Sequence, residues 1–210
     1  MDQSSTEAVT VYSDYVCPFC YLGRESLSRY QEARDKPLKI DWHPFDLRSQ
    51  KRNPDGTIDH SVDDGKDDDY YAQAKQSVRR LQEKYDVEMI HEIATDVDSL
   101  PAQIASYYVK EHYPYETWLS FDVAVFDALW QEGSDIGDEG LLVALAEEVD
   151  IDGDEIRSAF SDETLRREVR EKFSEAHQSG VTGVPTFAYD GYGARGAVPP
   201  KQLERLIEGV

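Results

Sequence analysis

Tyr12-Ser13-Asp14-Tyr15-Val16-Cys17-Pro18-Phe19-Cys20-Tyr21-Leu22-Gly23 holds both cysteines of this 210-residue chain, separated by two residues. A β-type run, Val9 to Tyr12, leads into it, and a helix-like pattern follows. Two cysteines so spaced at a strand-to-helix junction read as a redox pair rather than a structural staple. The first sits where free backbone N–H groups and the positive end of the helix dipole favour a thiolate. The second lies one turn along, close enough to form a disulfide with it. Pro18 suits the first helical turn, where its missing N–H costs nothing.

Outward from that stretch, Thr6 to Tyr12 forms a candidate strand through alternating Val9 and Val11. Pro18 to about Asp35 reads as a helix that Lys36-Pro37 ends, and Leu38 to Phe45 as a second strand. Arg48 to Asp69 is an acidic surface loop. Helical patterns follow over Tyr70–Tyr85, Ser99–Glu111 with Ser99 as its cap, Tyr115–Glu132, Asp138–Val149, Asp152–Phe160 and Asp162–Gln178. Thr186–Tyr189 reads as a strand, Asp190–Gly193 as a hairpin turn and Ala194–Val198 as the partner strand. Pro199-Pro200 opens a last helix with Leu203, Leu206 and Ile207 on one face. The order β-α-β, helical block, β-β-α predicts an α/β fold with a helical insertion. The expected division is a discontinuous domain of residues 6–65 and 179–210, with residues 66–178 inserted.

Composition narrows the function classes. A hydrophobic content of 40% supports a real core, and the formal charge is −21. So negative a chain disfavours nucleic acid and anionic membranes as partners. Acidic residues spread along most of the chain read as a surface adapted to high salt, where a Debye length of about 3 Å screens self-repulsion. Met1 to Ala8 has no basic or apolar leader character, and no run approaches a membrane span. The expected location is the cytoplasm. The five histidines (His43, His60, His91, His112, His177) show no H-x-x-x-H spacing, so no metal is expected. Asp150-Ile151-Asp152-Gly153-Asp154 misplaces the glycine of a calcium loop and reads as a loop and helix cap.

Gly183-Val184-Pro185-Thr186 is the second informative motif. A proline just before a strand, preceded by Gly-Val, is where a thioredoxin-like fold places a cis-proline loop beside its cysteines. Such a loop leaves the Val184 backbone open to an extended substrate and keeps other side chains off the sulfurs. With His43-Pro44-Phe45-Asp46-Leu47 and Gly180 to Phe187, these residues make the chain resemble the DsbA-like thioredoxin superfamily, and within it the FrnE-like oxidoreductases. The resemblance covers nearly the whole chain. It implies a thioredoxin-like fold with an inserted helical domain, and thiol-disulfide exchange with protein or small thiol and disulfide substrates. Cys17 would be the attacking thiolate, Cys20 the resolving thiol and Pro185 the cis-proline, with Val184 and Phe19 touching substrate. No cofactor is implied beyond the Cys17–Cys20 disulfide, and the chain would be a monomer or homodimer.

The chain departs from the strongly oxidising DsbA pattern at Phe19, which replaces the histidine between the cysteines. An apolar ring offers a thiolate neither a hydrogen bond nor a charge, so a less oxidising couple is expected. Asp14, three residues before Cys17, is a possible proton relay, or else a strand-end cap or surface acid. Tyr15, Phe19 and Tyr21 form an apolar rim for substrate, or fold packing. The alternative function is a small-molecule isomerase or glutathione-dependent enzyme of the 2-hydroxychromene-2-carboxylate isomerase or kappa-class glutathione transferase type. Those enzymes typically carry serine where Cys17 stands.

Overall fold

The alternation of fully buried Val9 and Val11 makes β1 (Glu7–Ser13), and the same period through Leu38, Ile40 and Trp42 makes β2 (Leu38–Pro44). This is a computed structural model, and it describes residues 7–90 and 92–209. Thr6, where the expected first strand and first domain begin, lies outside the described residues, as does His91. α1 (Pro18–Ala33) joins the two strands, which run parallel from Glu7↔Leu38 to Ser13↔Pro44. The chain then leaves the sheet for α2 (Asp68–Tyr85), α3 (Leu100–His112), α4 (Tyr115–Trp130), α5 (Glu139–Glu148), α6 (Gly153–Ser161) and α7 (Glu163–Gln178). It returns as β3 (Thr186–Tyr189) and β4 (Tyr192–Arg195) and ends in α8 (Pro200–Glu208). The sheet order is β2-β1-β3-β4, with β3 antiparallel to β1 and to β4. β3 therefore places the segment just before Thr186 beside the C-terminal end of β1, where α1 begins.

One apolar cluster runs from the sheet (Val9, Val11, Trp42, Phe187) into the helices (Trp118, Phe121, Phe126, Val169). Burying a side chain such as Phe121 contributes about 1.5–3 kcal/mol. A smaller cluster of Phe45, Ala176 and Val181 joins the end of α7 to the end of β2.

Several boundaries differ from expectation, each for a local reason. α1 stops at Ala33, because Arg34 turns extended and commits its guanidinium to Glu7 and Glu208. α2 starts two residues early, since Asp67 caps it by accepting from Tyr70 N. Ser99 makes no side-chain cap for α3; Asp98 Oδ1 accepts from Leu100 N instead. Asp138, Asp152 and Asp162 each cap a helix with their carboxylates. The hairpin turn is only Asp190-Gly191, both at positive φ (47° and 80°), so Tyr192 and Gly193 belong to β4. Gly196, at φ 88°, ends that strand before Val198.

The acidic loop is less uniform than its composition suggests. Ser49–Lys51 forms a short 3-10 turn, and Arg52 bridges to Ile58. Arg52 turns inward and pairs with Asp46 and Asp98, tying the loop to the end of β2 and the start of α3.

Candidate active site

Cys17 is the N-cap of α1, with extended backbone (φ −92°, ψ 113°). Its N–H donates to Asp14 O at 3.1 Å, and its carbonyl accepts from Cys20 N at 3.0 Å and Tyr21 N at 3.3 Å. Pro18 occupies the first turn, so the helix opens without wasting a donor. Cys17 is 4% exposed and Cys20 is fully buried; neither is in a disulfide. Cys17 Sγ lies 3.6 Å from Val184 O, across 167 residues of chain. Burial pushes the Cys20 thiol well up, and the neighbouring Cys17 sulfur and the Asp14 charge add to it.

The Val184–Pro185 peptide bond is cis. Its loop is held by Thr186 Oγ1 donating to Gly183 O (2.7 Å), Gly196 N donating to Pro185 O (2.8 Å) and Arg195 Nη2 donating to Thr182 Oγ1 (2.6 Å). Gly23 makes the approach of α1 possible. A Cβ there would sit 3.0 Å from Pro185 Cγ and 3.2 Å from Phe187 Cζ. Gly23 belongs to the stretch that decides the fold, yet its spatial role depends on a segment 162 positions later.

Tyr15 and Tyr21 are buried packing residues, not rim. The Tyr15 ring lies between Trp42 and Phe126, and its hydroxyl sits 2.9 Å from Asp122 Oδ1 and 2.7 Å from Ser106 Oγ. Arg24 neutralises Asp122 at 2.5 Å, and Trp130 Nε1 donates to Tyr15 O at 2.8 Å. These bonds fix Tyr15, two residues ahead of Cys17, against α3 and α4. Phe19 does reach the surface of the site. It lines a groove of about 570 Å³ with Cys17, Leu47, Tyr70 and Val184. Arg48, Lys51 and Lys66 give one part of the groove positive charge, although Lys51 and Lys66 share the Asp64 carboxylate.

Asp14 is not a surface acid: it is fully buried at the end of β1. Its Oδ2 accepts from Leu47 N at 2.9 Å, its Oδ1 from Val16 N at 3.3 Å, and the Ser99 hydroxyl bonds it too. Burial first, and then the charge of Asp46, push its carboxyl up to about 6. Asp46 is itself 2% exposed and accepts from Arg52 Nε at 2.6 Å and Nη2 at 3.1 Å. Arg52 also spans both oxygens of Asp98, at 3.1 and 2.9 Å, and donates to Gly56 O at 2.8 Å. Sequence reasoning singled out Asp14 for the site, but took Asp46 only as part of the His43–Leu47 motif, Ser99 only as a helix cap and Arg52 as part of a surface loop. The available signal was weak: Arg52 is one of four basic residues, with Arg48, Lys51 and Lys66, among the acids of the loop. Among the described residues, no group of three or more His, Cys, Asp or Glu side chains is placed to hold a metal ion. No helix among them is long and apolar enough to cross a membrane.

The DSBA-like thioredoxin domain family matches residues 8–208. The uncharacterized protein YwbO of Bacillus subtilis is 32% identical over 209 residues, covering 96% of each chain. A crystal structure named as a probable DsbA oxidoreductase of Streptomyces coelicolor aligns with a TM-score of 0.76 at 22% identity. That alignment covers 96% of this chain and 88% of the other. A 2-hydroxychromene-2-carboxylate isomerase aligns equally well, with a TM-score of 0.76 at 21% identity over 94% of this chain and 92% of its own. These two likenesses are likenesses of fold.

Proposed function

We propose that this chain, which belongs to the DSBA-like thioredoxin domain family, exchanges disulfides with protein or small-molecule substrates through Cys17 and Cys20. The observation that carries this reading is the 3.6 Å approach of Cys17 Sγ to Val184 O beside a cis Val184–Pro185 bond, with Cys20 buried behind. The slightly exposed sulfur is the one that meets substrate, and the buried one resolves.

In the reducing direction, the Cys17 thiolate attacks one sulfur of a substrate disulfide. A Cys17–substrate S–S bond forms, the substrate S–S bond breaks, and the first substrate sulfur leaves as a thiolate that takes a proton from solvent. Cys20 gives its proton to the Asp14 carboxylate and attacks Cys17 Sγ. The Cys17–Cys20 disulfide forms, and the second substrate sulfur leaves and takes the proton held by Asp14. Two electrons pass from the enzyme dithiol to the substrate, and a thiol reductant restores the dithiol. Run backwards, the same steps oxidise a substrate dithiol. Val184 and Phe19 line the groove the substrate enters. The acidic surface suits a cytoplasm of high ionic strength, where the chain works as a monomer or homodimer.

Reduction of insulin disulfides tests this reading. Activity is expected in the wild type and lost in Cys17→Ser. A second reading, a glutathione-dependent or small-molecule isomerase, draws on the likeness of fold to 2-hydroxychromene-2-carboxylate isomerase. Glutathione conjugation or chromene isomerisation that survives in Cys17→Ser, with no insulin reduction in the wild type, would favour it.

A further inference from the structure

The resolving half of the reaction requires a proton to leave a thiol sealed from solvent, and Asp14, whose charge bears on that thiol, belongs to a connected set of buried polar groups. Asp14 is bonded by Leu47 N, and Leu47 is joined directly to Asp46. Asp46 is almost as buried as Asp14 and is anchored three ways: by Arg52 Nε, by Arg52 Nη2, and by Arg48 N at 2.9 Å. Two buried carboxyl groups are thus brought together through the adjoining residues Asp46 and Leu47, and Arg52 hydrogen-bonds the Asp46 carboxyl.

The geometry points to Asp46 as a positioning residue for the exchange reaction: anchored by Arg52 next to the Leu47 amide that binds Asp14, its charge makes Asp14 a stronger proton acceptor for the Cys20 thiol than an isolated carboxylate would be. This rests on the thiol-disulfide reading above and adds to it a residue that touches neither sulfur nor substrate. The physics is like-charge repulsion in a site without water: ionising Asp14 beside a fixed negative charge is costly, so Asp14 holds a proton more tightly. The pKa shift of Asp14, in which the Asp46 charge stands second only to burial, has the same sign. Arg52 does not cancel the effect, because its side chain is shared with Asp98 and makes no hydrogen bond to Asp14. Other titratable groups adjoining these residues are Cys17 and Cys20 on α1, Arg48 beside Leu47, Asp98 beside Ser99 and His177 at the end of α7. Arg48 is occupied by the Ala94 and Thr95 carbonyls, and His177 lies on the Phe45 ring. His43 on β2 turns to Tyr12 and Glu175.

The test is a carbon-detected carboxyl NMR titration in molar KCl, with the Asp14 resonance assigned by its loss in Asp14→Asn. Wild-type Asp14 is expected to titrate near 6. Asp46→Asn, which leaves Arg52 its Asp98 partner, should lower that midpoint by about one pH unit. Asp98→Asn, which leaves the Arg52–Asp46 pair in place, should not move it. Stopped-flow reaction of the reduced enzyme with an aromatic disulfide supplies the second readout. The first thiolate released reports Cys17 and the second reports Cys20. The acid limb of the second phase should move down with the NMR midpoint in Asp46→Asn, and its rate at pH 8 should fall. An unmoved Asp14 midpoint in Asp46→Asn overturns the inference, as does an equal shift in Asp98→Asn. A wild-type midpoint in the ordinary carboxylate range overturns it without any variant. The NMR result does not depend on turnover, so it is separate from the insulin assay that tests the reading itself.

Discussion

Replacing Asp14 by asparagine should make the protein more stable and a slower enzyme. Folding moves this carboxyl from 3.8 to about 6, so the native state holds its proton more tightly than the unfolded chain does. The stability this group contributes is fully present below its unfolded value and is lost as pH rises through about 6. The difference of about two pH units is worth about 3 kcal/mol at pH 7 and under about 1 kcal/mol at pH 4. Asparagine keeps an oxygen for Leu47 N and loses the charged form, but it must place an NH2 group in a closed site. The expected gain at pH 7 is therefore about 1–3 kcal/mol, shrinking towards pH 4. Urea unfolding in molar KCl at the two pH values measures it. The second stopped-flow phase, read on the same variant, should slow by about a hundredfold through loss of the proton acceptor. A variant less stable than wild type at pH 7, or one whose stability change is the same at both pH values, would refute the linkage argument.

Phe19→His should raise the Cys17–Cys20 reduction potential, measured by equilibration against glutathione; an unchanged potential would show that the residue between the cysteines does not set it here. Wild type should lie well below about −120 mV, the strongly oxidising end of the range. Gly23→Ala should destabilise the fold by about 1–3 kcal/mol and slow insulin reduction, because the new Cβ meets Pro185 Cγ at 3.0 Å and Phe187 Cζ at 3.2 Å. A fully active Gly23→Ala would mean the proline loop tolerates displacement from α1. Raising KCl from dilute to molar should increase the melting temperature, since the formal charge of −21 repels itself when unscreened. Equal melting temperatures in the two buffers would reject a salt-adapted surface.

The parts of the fold that could be read ahead of the structure are those whose signal is local. Alternating valines announce β1, and Leu203, Leu206 and Ile207 announce the face of α8. The two halves of the site were each legible as short motifs, Cys17 to Cys20 and Gly183 to Thr186. Residues whose environment is assembled from distant segments were not. Asp14 belongs to a type that is almost never fully buried unless partnered. Its partners, Leu47 N and Ser99, come from the far end of β2 and the start of α3. Arg52 sits in a loop of charged and turn residues, where composition argues for solvent. Only the folded chain shows that Asp46 and Asp98 draw it in. Ser99 carried a capping signal that Asp98, one residue earlier, answers instead. Asp190-Gly191 announced a hairpin, but two turn residues rather than four shift β4 towards the N terminus.

The position of β3 in the sheet has a consequence for synthesis. The cysteines emerge from the ribosome early, and β2 can pair with β1 soon afterwards. The strand that brings Val184 up to Cys17 is translated 167 residues later, roughly ten to thirty seconds at ordinary elongation rates. Until then a nascent chain carries two thiols without the wall that covers them. A message truncated anywhere in the helical block would release a fragment still able to cross-link but lacking the Val184 segment that lies against Cys17.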